Sequence, residues 1–201
     1  PALHRYKGRI CFRGDCAKDE HGKAAAYQDL GASPAGIFSI NSNIAYGCCP
    51  GNVTTASDAI TAYLQALLLA LIATWVAIPI ELWPEDGSWQ KKGFKNYGDD
   101  RPMCRLYKAL YGHPEAGGHW ERLLNKSMKE LGAQPVPGHK SSFWFPKQVQ
   151  LLTVYVDDLL LSGPAELQAE VWKQIRSKVD TEDPEPLDRY LGRTHIVASL
   201  P

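Results

Sequence analysis

The chain lacks a net charge: across its 201 residues, 22 Lys and Arg stand against 22 Asp and Glu. It also lacks internal repeats and low-complexity tracts, which excludes collagen-like and disordered chains. With 44% hydrophobic residues, the length suffices for one globular domain or two small ones. The missing basic surplus counts at first against a nucleic-acid partner, because phosphate contacts need clustered Lys and Arg. The total conceals an order, however. Residues 24–88 contain no Lys or Arg, and the net charges of blocks 1–23, 24–88, 89–147 and 148–201 are +3, −5, +6 and −4.

A disulfide framework is absent too. The five cysteines, Cys11, Cys16, Cys48, Cys49 and Cys104, are odd in number and irregular in spacing, which favours a reduced cytosolic or nuclear setting. No second Cys/His pair follows Cys11 and Cys16 at zinc-ligand spacing. The tripeptide Arg13-Gly14-Asp15 is common by chance and carries no weight. No initiator Met or signal peptide opens the sequence at Pro1, so the chain is expected to be a segment of something longer and not secreted.

Charge is missing longest between Asp58 and Glu81, where 22 uncharged residues are apolar except for Thr61, Gln65, Thr74 and Pro79. That length can cross ~30 Å of hydrocarbon. Pro79, the flanking acids and the absence of nearby Lys or Arg disfavour a membrane span. The break at Ala73-Thr74 before Trp75-Val76-Ala77-Ile78 predicts instead a buried helix from about Ala59 to Leu71, then a buried strand.

Elsewhere the pattern predicts a basic strand at Arg9 to Arg13 and a helix capped by Ser33 with Pro34 at its first position. Ile37, Ile40 and Ile44 share one face of that helix, and Gly47 follows its end. A strand at Val53 to Asp58 is entered through Pro50-Gly51-Asn52. Glu85 to Arg101 reads as an exposed loop. The stripe of Trp120, Leu123, Leu124, Met128 and Leu131 predicts a helix over Pro114 to Leu131, ended by Gly132. Leu167, Val171, Ile175 and Val179 mark another over Pro164 to Val179. Between them, Ser142 to Pro146, Val149 to Val156 and Leu159 to Ser162 read as strands. The order implies an α+β fold: one antiparallel sheet with helices on one face.

The chemistry concentrates at Tyr155-Val156-Asp157-Asp158, set between Leu151-Leu152-Thr153-Val154 and Leu159-Leu160-Leu161-Ser162. A structural two-residue hairpin prefers Asn-Gly or Asp-Gly. Two adjacent carboxylates at such a tip repel each other unless a cation neutralises them. Mg²⁺ takes one or two carboxylates and fills its shell with water and phosphate oxygens. Asp58 can supply a third carboxylate: it ends a strand and is the only acid between Asp29 and Glu81. Three carboxylates at strand ends suit two metals ~3.5–4 Å apart that serve phosphoryl transfer. The bland alternative is a helix-capping Asp58 and a solvated turn.

These residues resemble motifs of the reverse transcriptases of copia-type retrotransposons. Tyr155 to Gly163 is similar to the catalytic hairpin, and Asp58-Ala59-Ile60-Thr61-Ala62-Tyr63-Leu64 to the first aspartate motif. Lys7-Gly8-Arg9-Ile10 with Arg13-Gly14 resembles the fingers strand. Leu106-Tyr107-Lys108-Ala109-Leu110-Tyr111-Gly112 with Trp120, and Tyr190-Leu191-Gly192, resemble two further segments. The matches run in family order from about Lys7 to Ile196.

The resemblance implies an α+β fingers and palm architecture: a fingers region at 1–52 and a palm region at 53–201, with 85–141 partly fingers or connecting segment and little thumb. It implies RNA-directed DNA polymerase activity, with Asp58, Asp157 and Asp158 holding two Mg²⁺ (or Mn²⁺) ions. Lys7, Arg9, Arg13, Tyr63, Tyr111 and Gly112 would bind the nucleotide, with Tyr63 selecting deoxynucleotides. Leu191 and Gly192 would touch the primer end. Partners would be an RNA or DNA template with primer, deoxynucleoside triphosphates, and the integrase and ribonuclease H of a polyprotein, in a cytoplasmic virus-like particle or the nucleus. Where the family has Leu-Lys-Gln-Ala-Pro, this chain has His113-Pro114-Glu115-Ala116-Gly117, without the basic residue. A catalytically silent relic is therefore the main alternative. A nucleotide cyclase is disfavoured by the absence of a Gly-Gly-acidic hairpin, and a membrane protein spanning 59–80 ranks last.

Overall fold

The structure, a computed structural model, describes residues 10–27, 32–69, 73–95 and 101–196. In chain order these form helix α1 (Ile37–Gly47), strand β1 (Asn52–Asp58), the one-turn α2 (Ala62–Gln65), β2 (Trp75–Ala77) and the one-turn α3 (Ser88–Lys91). β3 (Met103–Arg105), α4 (Ala116–Glu130), β4 (Gln134–Pro135), β5 (Ser142–Phe145), β6 (Gln150–Tyr155) and β7 (Asp158–Pro164) follow. The chain continues through α5 (Ala165–Arg176), β8 (Glu185–Pro186), β9 (Arg189–Tyr190) and β10 (Arg193–Thr194).

Six strands make one sheet in the order β4-β5-β6-β7-β1-β8, and each neighbouring pair is antiparallel. Its centre is the run Leu159-Leu160-Leu161, whose side chains alternate between faces. Leu159 and Leu161, with Leu152 and Val154, meet Trp120, Leu124 and Met128 of α4 and Val171, Trp172 and Ile175 of α5. Full burial of each such side chain contributes about 1.5–3 kcal/mol. Leu160 points the other way, into a smaller cluster with Ala35, Ile40 and Tyr190. Helices therefore cover both faces, not one as expected. A run that is apolar at consecutive positions demands cover on each side.

α1 is held to its face by polar contacts as much as by apolar ones. The Nδ2 of Asn43, fully buried, lies within hydrogen-bond reach of the carbonyls of Leu151 (2.9 Å) and Leu160 (3.1 Å) and of the Thr153 hydroxyl, which share its two hydrogens. Gly47 lies so close to β1 that a Cβ there would overlap the Thr54 hydroxyl. The helix starts later than predicted, with Gly36 at its N-cap and Ile37 exposed. Ser33 is used elsewhere: its amide donates to Glu121, and its carbonyl accepts from Ser141.

Two further expectations are corrected. Residues 59–69 do not form a long buried helix: Thr61 sits at φ 48°, and only Ala62–Gln65 is helical. Beyond it, the Leu68 amide donates to the Tyr107 carbonyl, the Ala109 amide donates to the Ala66 carbonyl, and Leu67 and Leu69 are exposed. β2 forms as predicted, but Trp75 is exposed rather than buried. Among the described residues no helix is long and apolar enough to cross a membrane. In the predicted strand at Arg9 to Arg13, residues 10–13 are not strand, and Gly14–Cys16 is a 3-10 turn. Phe12 instead donates to the Tyr111 carbonyl at 2.6 Å, a contact that leaves no room for a Cβ on Gly112. Lys7 and Arg9 lie outside the described residues.

Candidate functional site

The antiparallel register of β1 on β7 ends at Asp58 facing Asp158. β6 and β7 are joined through Val156-Asp157, because Tyr155 pairs directly with Asp158. The Asp157 carbonyl accepts from the Ala59 amide at 2.7 Å, so this reversal is stitched to the end of β1. Two residues remote in sequence thus share one end of the sheet with the turn.

The turn itself is strained. Val156 has φ 57° while Asp157 does not enter the left-handed region, which is the pattern of a type II′ turn normally begun by Gly. A β-branched residue in that conformation costs on the order of 1–3 kcal/mol. Trp120, buried on α4, donates its indole N–H to the Val156 carbonyl at 2.6 Å. Tyr190, buried on β9, donates its hydroxyl to the Asp158 carbonyl at 3.2 Å.

Electrostatics follow from this crowding. Burial, the facing Asp58 carboxylate and the adjacent Asp157 push the Asp158 carboxyl from its ordinary 3.8 up to about 7. Burial first, then the Asp158 and Asp58 carboxylates and Tyr155, push the Tyr190 hydroxyl far above its usual value, so it stays a donor. Tyr63 is raised by burial, by Asp157 and by Tyr111. Its ring lies tilted against Tyr111 with centroids 4.8 Å apart.

The facing pair Asp58 and Asp158 is a hard-oxygen donor set of the kind that suits Mg²⁺ or Mn²⁺, and mutual repulsion is what such a cation relieves. Among the described residues no group of three His, Cys, Asp or Glu side chains is gathered for a metal ion. The expected trio is therefore present as a facing pair with Asp157 next to it in the turn.

The remaining expected residues fall into separate places. Tyr63, Tyr111 and Gly112 lie together, joined through Phe12 to the N-terminal segment. Arg13 is exposed and pairs with Asp15 at 2.9 Å, contacting Cys16 as well. Leu191 and Gly192 form the two-residue turn of the β9–β10 hairpin, next to Tyr190. In the sequence Trp120 belongs to a helical stripe and a motif, and Tyr190 to a motif. Their signal was chemical: a buried indole or phenol needs a partner for its polar tip.

Residues 88–198 match the family model described as reverse transcriptase (RNA-dependent DNA polymerase), over more than half of the chain. The chain belongs to this family. The matching family is the one typical of copia-type elements, as the motifs implied. Asp157, Asp158, Trp120, Tyr111 and Tyr190 fall within the match; Asp58 and Tyr63 precede it. No curated protein and no solved structure matches the chain.

In this reverse transcriptase domain the unusual segment His113 to Gly117 turns inward. His113 and Ala116 are buried, and His113 contacts the Thr74 hydroxyl at 3.2 Å. Burial holds its imidazole below the ordinary value, with His119 acting in the same direction and Glu115 against it.

Proposed function

We propose that this chain is the RNA-directed DNA polymerase domain of a copia-like retrotransposon polyprotein, adding deoxynucleotides to a primer along an RNA or DNA template. The observation that carries the reading is the register that faces Asp58 with Asp158 beside the Val156-Asp157 reversal. Asp58, Asp157 and Asp158 would hold two Mg²⁺ (or Mn²⁺) ions. Such ions, when bound, stabilise charge on the attacking and leaving oxygens of an in-line phosphoryl transfer.

The chain's own residues supply position and selection. The aspartates fix where the primer hydroxyl and the triphosphate meet. Tyr63, braced by Tyr111, lies beneath the incoming sugar and rejects a 2′-hydroxyl by contact. Lys7, Arg9 and Arg13 reach the triphosphate or template from a fingers region at 1–52, and Leu191 and Gly192 meet the primer end from a palm region at 53–201. Integrase and ribonuclease H would be the polyprotein partners, in a cytoplasmic virus-like particle or the nucleus.

The balanced charge limits non-specific attraction to phosphates. Fluorescence anisotropy on a primer-template should show weak binding that falls steeply between about 50 and 200 mM salt; tight, salt-indifferent binding would contradict this.

The deciding experiment is primer extension on an RNA template with Mg²⁺. Wild type is expected to give product that Asp157→Asn does not. Wild type without product above that variant would favour a second reading, a folded but catalytically silent member of the family. The observation on that side is the segment 113–117, which lacks a cation and buries its histidine.

A further inference from the structure

Three consecutive carbonyls at the aspartate turn are each taken by a donor from a different part of the chain. Val156 accepts from the Trp120 indole on α4 at 2.6 Å, Asp157 from the Ala59 amide after β1 at 2.7 Å, and Asp158 from the Tyr190 hydroxyl on β9 at 3.2 Å. A hairpin tip normally leaves its carbonyls to water. Here two donors are large side chains 3% and 4% exposed, so a buried indole and a buried phenol spend their polar tips on the turn backbone. The turn needs outside support, because Val156 occupies a left-handed conformation that its branched side chain disfavours. A rotation of the peptide before Val156 would relieve that conformation and shift the turn that carries Asp157.

We propose that Trp120 and Tyr190 are positioning residues that clamp the Val156–Asp158 backbone, and so set the Asp157 and Asp158 carboxylates for a divalent cation. The proposal rests on the reading of these aspartates as metal ligands. Each acts through the turn backbone, Trp120 on the carbonyl of the residue before Asp157 and Tyr190 on the carbonyl of Asp158 itself. The clamp also ties three elements to one point. α4, the segment after β1 and the β9–β10 hairpin cannot shift independently of the turn.

The test uses the whole chain with Mn²⁺ as the probe, because electron paramagnetic resonance counts bound Mn²⁺ without any need for turnover. Tyr190→Phe removes one oxygen and keeps the ring, and Trp120→Phe removes the indole donor. Each should raise the Mn²⁺ dissociation constant about tenfold, the lower end of the range expected when a residue supporting a ligand is lost. Circular dichroism and the melting temperature should stay close to wild type for Tyr190→Phe. In primer extension the same variants should lower kcat and leave KM for the deoxynucleotide nearly unchanged, with partial recovery at raised metal concentration. Mn²⁺ affinity within twofold of wild type in a folded Tyr190→Phe variant would overturn the clamp. So would a wild type whose Mn²⁺ binding does not depend on Asp158. Asp158-dependent Mn²⁺ binding that weakens in the variants, with no primer extension by wild type, would support the clamp while removing the polymerase reading.

Discussion

Two turns in this chain reverse direction over two residues, and they are held in opposite ways. Leu191-Gly192 joins β9 to β10 with φ values of 47° and 77°, both positive, as a type I′ turn requires. Both residues are exposed, and a Cβ on Gly192 would meet nothing within 4 Å. Gly192 takes one of its two left-handed positions without strain, and Leu191 takes the other. Val156-Asp157 contains no Gly, places a β-branched residue at φ 57°, and is held by donors from elsewhere. The difference separates a turn that serves the fold from one whose conformation the fold imposes. Imposed strain is common where a side chain must be aimed.

The comparison can be broken at either turn. The largest effect should come from Asp157→Asn: primer extension falls at least about a hundredfold while the melting temperature stays within a few degrees, since an isosteric amide keeps the turn. Unfolding of this variant would show that the turn is structural after all. The next effect is on pH. The folded state raises the Asp158 carboxyl from 3.8 to about 7, so folding favours its protonated form. The associated stability is complete below about pH 3.8 and is lost as pH rises through about 7. Without divalent cations the melting temperature should fall across that window by more in wild type than in Asp158→Asn, and Mg²⁺ should restore it at neutral pH. A parallel fall in both proteins would remove the facing pair as its cause.

Smaller effects test the Leu191-Gly192 turn. Gly192→Ala meets no steric obstacle, so its cost, about 1–2 kcal/mol by denaturant titration, should be the left-handed backbone alone. Leu191→Asn should stabilise by about 0.5 kcal/mol, because Asn-Gly is the preferred type I′ pair. If Leu191 meets the primer end, the same variant should weaken binding of primer-template while it stabilises the chain.

Much of the site-bearing sheet was legible in the residues. Val53 to Asp58, the two helical stripes and the strands flanking the aspartates all appear near their predicted limits, because alternation and amphipathic spacing are strong there. The facing of Asp58 and Asp158 was anticipated as a convergence of strand ends, though not as a register. What escaped the sequence was non-local. The helix expected from Ala59 fails because Thr61 turns left-handed and Gln65 bonds Asp180, a residue from beyond α5. Residues 10–13, apolar up to Arg13, meet Tyr111 through Phe12 rather than a strand partner. Leu159-Leu160-Leu161 is apolar at consecutive positions, yet only the structure identifies α1 as the second cover, through Asn43, a residue of low helix propensity.

The register that ends at Asp58 and Asp158 also bears on the order in which the chain assembles. β6 and β7 are neighbours in sequence and can pair on a microsecond scale. β1 must find β7 across a hundred intervening positions, so its docking carries the larger loop-closure penalty and belongs to a later stage. Its last rung sets two acids directly opposite one another, an arrangement that opposes pairing. The same carboxylates thus act as an electrostatic brake on completion of the central sheet, and a divalent cation that bridges them would hasten the final closure as well as equip the closed site.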